Sequence, residues 1–364
     1  MEVIIVPKLQ KAEYKTKNLI KAIRRWFIPY LQSRYYSKEF RPLLSYLFTD
    51  WKCNVDCHYC WAWNNQKEGM TLETAKRSID FLKSVGCRVV AIMGGEPLVR
   101  KNFILEVIKY GSKNGFFVYL PTNGILMDEE FIDEIGSADV AAINVAVDCV
   151  TEKPGLPKSL MCIEPQFRYL VKQQKKYGYL IFFNINITSK NFKDVKMLTE
   201  IAHDNGVATD YHINEPHIVE RDHFKHRGSD LWITPKDWEE VDDLLGWLID
   251  RNKSGYVMVN SIEHLKAMKD FIRMKMKPWD CRAGQNSLFI GIDGEIAPCF
   301  GQYDSGQDWG TIFNYQYNPE RLNALKETCS LKCFSTCNFT LKDYYQPFKV
   351  HKWIFKHFRK RFTR

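Results

Sequence analysis

Cys53-Asn54-Val55-Asp56-Cys57-His58-Tyr59-Cys60 sets three cysteines at spacing C-x3-C-x2-C, directly behind a short apolar run, Leu43 to Thr49, that reads as a strand. Thiolates are soft ligands suited to iron–sulfur clusters or zinc. Three in one tight loop, with no fourth cysteine or close histidine pair beside them, leave one metal position open. A metal that does chemistry requires that opening, whereas structural zinc is closed by four ligands. Half of a zinc site, completed by His58 or a distant cysteine, is the competing reading. The chain downstream of the loop fits a cluster better.

Outward from this loop the chain alternates between two periodicities. Strand-like runs fall at Leu43–Phe48, Val89–Met93, Phe116–Pro121, Val140–Val147, Tyr179–Ile187 and Ala208–Ile213. Helical patterns fall between them at roughly 71–86, 102–114, 128–135, 164–177 and 191–205, with Thr71 placed as an N-cap. Strand–helix alternation implies a parallel α/β sheet with right-handed crossovers. Periodicity leaves open whether the sheet stays open or curls.

Active sites of parallel α/β folds gather at the carboxyl ends of the strands. Those ends carry the cysteine loop, then Gly94, Gly95 and Glu96, then the turn Pro121-Thr122-Asn123-Gly124. Asn144 and Asp148 end the fourth strand. His212, Asn214 and Glu215 end the sixth. Asn184 and Asn186 alternate along the fifth strand, so both face one side. Two aligned amides point to a polar cavity; capping of neighbouring loops is the alternative.

The triad Cys53, Cys57 and Cys60, with aromatic Tyr59 before the last, resembles the signature of the radical S-adenosylmethionine (SAM) superfamily. Met93-Gly94-Gly95-Glu96-Pro97 resembles that superfamily's second motif, the turn holding the methionine end of the cofactor. The resemblance implies a partial (β/α)6 TIM-like barrel. It implies a [4Fe–4S] cluster on the three cysteines, with SAM chelating the fourth iron. It also implies reductive cleavage to a 5′-deoxyadenosyl radical, and an electron donor such as flavodoxin or ferredoxin as partner. Tyr59, Gly94, Gly95, Glu96, Asn123, Asn144, Asp148, Asn184 and Asn186 are the cofactor-binding candidates.

A second cysteine group lies toward the C-terminus. Cys281 and Cys299 flank Ser287–Ile292 and Glu295–Ala297, two extended runs joined by Asp293-Gly294, a hairpin signal that brings the cysteines together. Cys329, Cys333 and Cys337 come next at C-x3-C-x3-C. This set resembles the SPASM extension or its shortened relative Twitch. It implies one auxiliary [4Fe–4S] cluster on Cys281, Cys299 and two of the last three; structural zinc is the competing reading. Cys87, Cys149 and Cys162 read as buried hydrophobes. Between barrel and extension, Pro235 to Leu248 and Ser261 to Met276 look helical. His217, His223 and His226 lie in a polar loop more suited to solvent or substrate than to metal.

The expected organisation is a basic segment 1–42, a barrel 43–215, a helical connection 216–280, the extension 281–340 and a basic tail 341–364. Residues 1–42 carry ten Lys/Arg against three acids and residues 341–364 eight against one, about +7 each, out of a total of +9. The mildly acidic body between them does not suit a nucleic-acid binder. Eleven cysteines, eight of them spaced for metal, point to a reducing cytoplasm, and no apolar run reaches membrane-spanning length. Leu19, Ile20, Ile23, Trp26, Phe27 and Tyr30 recur at helical spacing among basic residues, as do Val350, Trp353, Ile354 and Phe358. Such helices suit an anionic membrane surface or dock on the core. A lipid or isoprenoid substrate is therefore expected, and Trp279, Cys281 and Pro298-Cys299 are similar to the adenosylhopane synthase type. A peptide maturase is the alternative.

Overall fold

The computed structural model describes residues 20, 23–35, 40–60, 67–214, 226, 229–329 and 332–345. A helical segment, a π turn Ile23–Phe27 continuing into α1 (Ile28–Tyr35), precedes the sheet. Six strands then alternate with five helices: β1 (Leu44–Phe48), α2 (Leu72–Ser84), β2 (Val89–Met93), α3 (Lys101–Lys113), β3 (Phe117–Thr122), α4 (Glu129–Ser137), β4 (Ala142–Ala146), α5 (Leu160–Tyr177), β5 (Leu180–Ile187), α6 (Phe192–Asp204) and β6 (Ala208–Ile213). They pair in parallel in sequence order. The arrangement is the expected α/β open, partial barrel.

Local chemistry explains the element ends. Thr71 Oγ1 accepts from Thr74 N at 3.1 Å and caps α2, whose Ala75, Ile79 and Leu82 turn inward. Alternation decides the two faces of the sheet. Leu47, Val90, Ile92, Val118, Leu120, Ile143, Val145, Ile181 and Phe183 join the helices in the main core. Their neighbours, Tyr46, Ala91, Tyr119, Asn144, Phe182, Asn184 and Asp210, therefore face the concave side.

The cysteine-rich extension does not stand apart from the barrel. After α7 (Trp238–Lys253) and α8 (Ile262–Ile272), the hairpin β7 (Ser287–Ile290) and β8 (Ile296–Ala297) forms as expected. However, β7 pairs in parallel with β1, making an eight-stranded sheet in the order β6-β5-β4-β3-β2-β1-β7-β8. The open edge of β1 had backbone groups to satisfy, and β7 covers it. Helices α9 (Pro319–Cys329) and α10 (Thr336–Tyr345) close the described chain, so the expected boundary at 340/341 falls inside α10.

Trp26, Phe27 and Tyr30 pack inward against Leu43, Leu341, Tyr344 and Tyr345. They are thus unavailable as the membrane-facing stripe that their spacing suggested. The second stripe, Val350 to Phe358, lies outside the described residues. No described helix is long and apolar enough to cross a membrane.

Candidate active site

The glycine turn after β2 sits against the backbone that leads into the cysteine loop. Gly95 N donates to Asp50 O at 2.7 Å and Glu96 N to Lys52 O at 2.8 Å. A Cβ on Gly95 would lie 2.2 Å from the Lys52 carbonyl oxygen, a contact that only glycine avoids. The two motifs that the sequence separates by some forty residues are thus one structural unit. Asn123 Nδ2 donates to Asn54 Oδ1 at 2.8 Å, adding the turn after β3.

Glu96 does not point its carboxylate into open space. It is 1% exposed and accepts from Leu98 N (2.9 Å), Thr122 Oγ1 (2.7 Å) and Asn123 N (2.7 Å). Burial raises its pKa and outweighs these three bonds, which favour the charged form. Its place is as a brace between the second and third strand ends.

Asp148 plays the same part on the other side of the loop. Fully buried, it accepts from Tyr59 Oη (2.6 Å) and Asn186 N (3.0 Å), and its Oδ2 lies 3.3 Å from Lys158 Nζ. The Lys158 ammonium stands 5.1 Å over the Tyr59 ring. Burial alone would lower the Lys158 pKa, but Asp148, Cys57 and Cys60 reverse the direction and raise it. His58 N donates to Gly155 O at 3.1 Å, and Gly155, at φ +77, leaves room for the His58 ring where a Cβ would clash at 2.8 Å. His226 stacks on His58 at 3.9 Å and its Nε2 lies 3.0 Å from Asp56 Oδ2. His217 and His223 lie outside the described residues.

Cys53 and Cys60 are half-buried and Cys57 is buried. Burial pushes the Cys53 thiol up to about 12 and raises Cys57 as well. The loop thus holds one thiol out of water and two partly out of it, where a metal's positive charge is what makes the thiolates stable. This donor set, beside a glycine turn whose backbone can approach a ligand closely, fits a [4Fe–4S] cluster. Among the described residues, no three Cys, His, Asp or Glu side chains already converge on a single-ion position. A cubane binds each thiolate through a different iron, so its ligands stand farther apart than those of one ion.

On the concave face, Asn144 donates through Nδ2 to the Tyr119 hydroxyl, while its Oδ1 is buried with no hydrogen-bond partner. Tyr119 lies edge-on to Phe182 at 6.3 Å, and His212 Nε2 lies 3.3 Å from Asp210 Oδ2. Asn184 is half-buried on the same face, whereas Asn186 turns to Asn214. Tyr46, Tyr119, Asp210 and Lys158 are site residues that the sequence reading passed over. Strand alternation could have found the first three by their register opposite Leu47, Leu120 and Tyr211. Lys158 sits in an aperiodic loop and left no such signal.

In the extension, Cys299 is pushed up to about 12 by burial, with Cys281 and Cys329 adding to the shift. Burial also lowers the pKa of Lys326 beside Cys281. Cys333 is buried; its Sγ accepts from Ser335 N at 3.3 Å, and its carbonyl from Trp279 Nε1 at 3.0 Å. Cys337 hydrogen-bonds Tyr46 on β1, whose hydroxyl pKa is raised first by burial and then by that cysteine.

A parallel partial barrel with a three-thiol loop behind its first strand and a glycine turn behind its second defines a SAM-and-cluster enzyme. Residues 52–214 match the Radical SAM superfamily model and form a radical SAM domain, and the chain that carries it is an enzyme. It is 24% identical over 271 residues to AdoMet-dependent heme synthase of Methanosarcina barkeri, spanning 68% of this chain and 73% of that one. Among solved structures it is similar to SuiB of Streptococcus suis bound to S-adenosylmethionine, with TM-score 0.60, 15% identity, and coverage of 78% and 68% of the two chains. It is also similar to anSMEcpe with bound AdoMet, with TM-score 0.58, 17% identity, and coverage of 81% and 85%.

Proposed function

We propose that this radical SAM enzyme acts on a polar substrate without net negative charge, a peptide segment being the best match. When bound, the cluster and SAM supply an electron and a 5′-deoxyadenosyl radical for abstraction of an unactivated hydrogen or addition to a double bond. Cys53, Cys57 and Cys60 would hold the cluster. The backbone of Gly94 and Gly95 would face the cofactor, while Glu96, Asp148 and Tyr59 keep the loop and turn in register.

The observation that carries the substrate class is the buried, unpartnered Oδ1 of Asn144 on the concave face. A buried polar atom without a partner is costly, and a ligand's N–H would satisfy it. Tyr46, Tyr119, Asn184, Asp210 and His212 line the same face, and none of the six barrel strands carries a lysine or arginine. Amides and hydroxyls pair with peptide groups. An isoprenoid chain would leave them unsatisfied, and a multiply carboxylated ligand would meet the Asp210 carboxylate, with His212 and no lysine or arginine on the strands to offset it. The lipid substrate expected from the sequence rested on the composition of the two chain ends and not on residues of this face.

The extension is read as holding one auxiliary [4Fe–4S] cluster on Cys281, Cys299, Cys329 and Cys333, with Cys337 left to the barrel. Four thiolate ligands suit electron transfer rather than substrate binding. The deciding experiment tracks 5′-deoxyadenosine release by reconstituted, reduced enzyme supplied with the low-molecular-weight peptide fraction or the lipid extract of its own cells. Stimulation by the peptide fraction that protease treatment abolishes supports the reading. Stimulation by the lipid extract alone overturns it.

A further inference from the structure

We infer that the pole of the barrel opposite the cysteine loop is a docking surface for an anionic lipid bilayer. All six barrel strands run the same way, so the cysteine loop and glycine turn share one end. The turns that precede β2 and β3, with Gly86, Arg88 and Gly115, share the other. The N-terminal helical segment crosses that second pole. Tyr30 is fully buried against Leu43 at the start of β1, and Arg25 Nη1 bonds Asp139 Oδ2, before β4, at 3.1 Å.

The segment has two apolar faces, and only one is used by the protein. Trp26, Phe27 and Tyr30 turn inward. Ile20 (54%), Ile23 (39%), Ile28 (43%) and Leu31 (39%) remain exposed on the outside. Between this outer face and the strand-entry turns lies a groove of about 490 Å³ lined by Ile20, Arg24, Arg25, Ile28, Gly86 and Arg88. Arg24 makes no ion pair with a described residue. Arg88 Nη1 donates to the carbonyls of Lys83 (3.0 Å) and Cys87 (2.7 Å), which leaves its charge uncompensated. Aliphatic side chains interleaved with guanidinium groups match a headgroup–acyl boundary with anionic phosphates.

Described basic side chains gather at the same pole. Helix α10 ends beside α1: the Tyr344 ring lies 5.7 Å from Trp26, and the Tyr345 hydroxyl 2.7 Å from Ser33 Oγ. Arg24, Arg25, Arg34 and Arg41, the described basic residues ahead of β1, lie at this pole: Arg34 Nη1 donates to Tyr344 O at 3.0 Å, and Arg41 stands beside Gly86. A nucleic acid would take the arginines but give the four exposed aliphatic side chains nothing to bury against. Docked this way, the enzyme is held by its underside with the SAM end turned toward water. The membrane serves as an anchor, not as the route of substrate entry. This inference does not depend on the substrate class proposed above, because its test uses no substrate.

The test is co-sedimentation of the full-length, cluster-loaded protein with phosphatidylcholine–phosphatidylglycerol vesicles. Binding is expected to fall with salt and to be weak on phosphatidylcholine alone. Arg24→Glu with Arg88→Glu should lower partitioning about tenfold or more, and Ile28→Ser with Leu31→Ser should lower it independently. Both pairs should keep the wild-type rate of substrate-free 5′-deoxyadenosine release, which reports intact folding, and that rate should be the same on vesicles as in solution. Three results would each overturn the proposal: no sedimentation of wild type, full sedimentation of both folded variants, or displacement from vesicles by duplex DNA at comparable affinity.

Discussion

Tyr59 and Asp148 are joined by a 2.6 Å hydrogen bond that ties the cysteine loop to the segment following the fourth strand. Tyr59→Phe keeps the ring under Lys158 but removes this bond, and should cost about 1 kcal/mol. Asp148→Ala also strips the buried Lys158 of its counter-charge and the Asn186 N–H of its acceptor, and should cost about 3–5 kcal/mol. Urea unfolding of the two variants measures the difference; equal losses would refute the latch. Lys158 has a raised folded pKa, so its contribution is fully present below its unfolded value and fades only as pH rises through the folded one. The Tyr59–Asp148–Lys158 contribution should therefore stay flat from about pH 6 to about pH 9.

Gly95 permits a backbone approach that no side chain tolerates. Gly95→Ala would press a methyl group to 2.2 Å from the Lys52 carbonyl, with backbone on both sides and no flexible group to yield. The expected loss is about 3 kcal/mol or more, with weakened SAM binding by calorimetry. Wild-type affinity in a stable variant would show that the turn relaxes freely.

Glu96 gives a pH-dependent signature. Its pKa is raised on folding, mainly by burial. Its contribution to stability is therefore fully present below about pH 4, its unfolded range, and declines as pH rises through the folded value. Glu96→Gln places a donor against one of three donors and should destabilise by about 1–3 kcal/mol. The gap between wild type and variant, tracked by unfolding from acid to neutral pH, should narrow upward. A gap that widens with pH would reverse the assignment.

The cysteines should divide by iron content. Reconstituted wild type should hold about eight iron atoms, two [4Fe–4S] clusters' worth. Cys53, Cys57 and Cys60 changed together to alanine should remove about half of them, and Cys57→Ala alone should abolish 5′-deoxyadenosine release. Cys329→Ala should lose the auxiliary half, while Cys337→Ala should keep the full count because its thiol lies with Tyr46. Tightly bound zinc at the second set, or iron loss in Cys337→Ala, would overturn that division.

Much of the barrel was legible because its signals are local. β2 and β6 were read at their observed limits and the other barrel strands to within a few residues, since a buried parallel strand is an apolar run between turns. Helix α5 begins at Leu160, ahead of the expected 164, and takes Pro165 into its second turn. Asp148 and Glu96 were picked out as residues, but not the buried hydrogen bonds and the ion pair that hold them. A carboxylate at a strand end has the same sequence appearance whether it meets a cofactor or three backbone donors.

The sequence alone determined the class of chemistry, because C-x3-C-x2-C places three soft ligands in one loop whatever surrounds them, and strand–helix alternation places that loop at the catalytic end. Tertiary structure decided what depends on distant partners. It set β7 beside β1 across more than two hundred residues, and it brought Cys337 to Tyr46. It turned Trp26 and Tyr30 inward while leaving Ile28 and Leu31 outside. A helical apolar stripe has a period but no direction in the sequence; which side is buried is fixed only when Leu43, Leu341 and Tyr344 arrive to cover it.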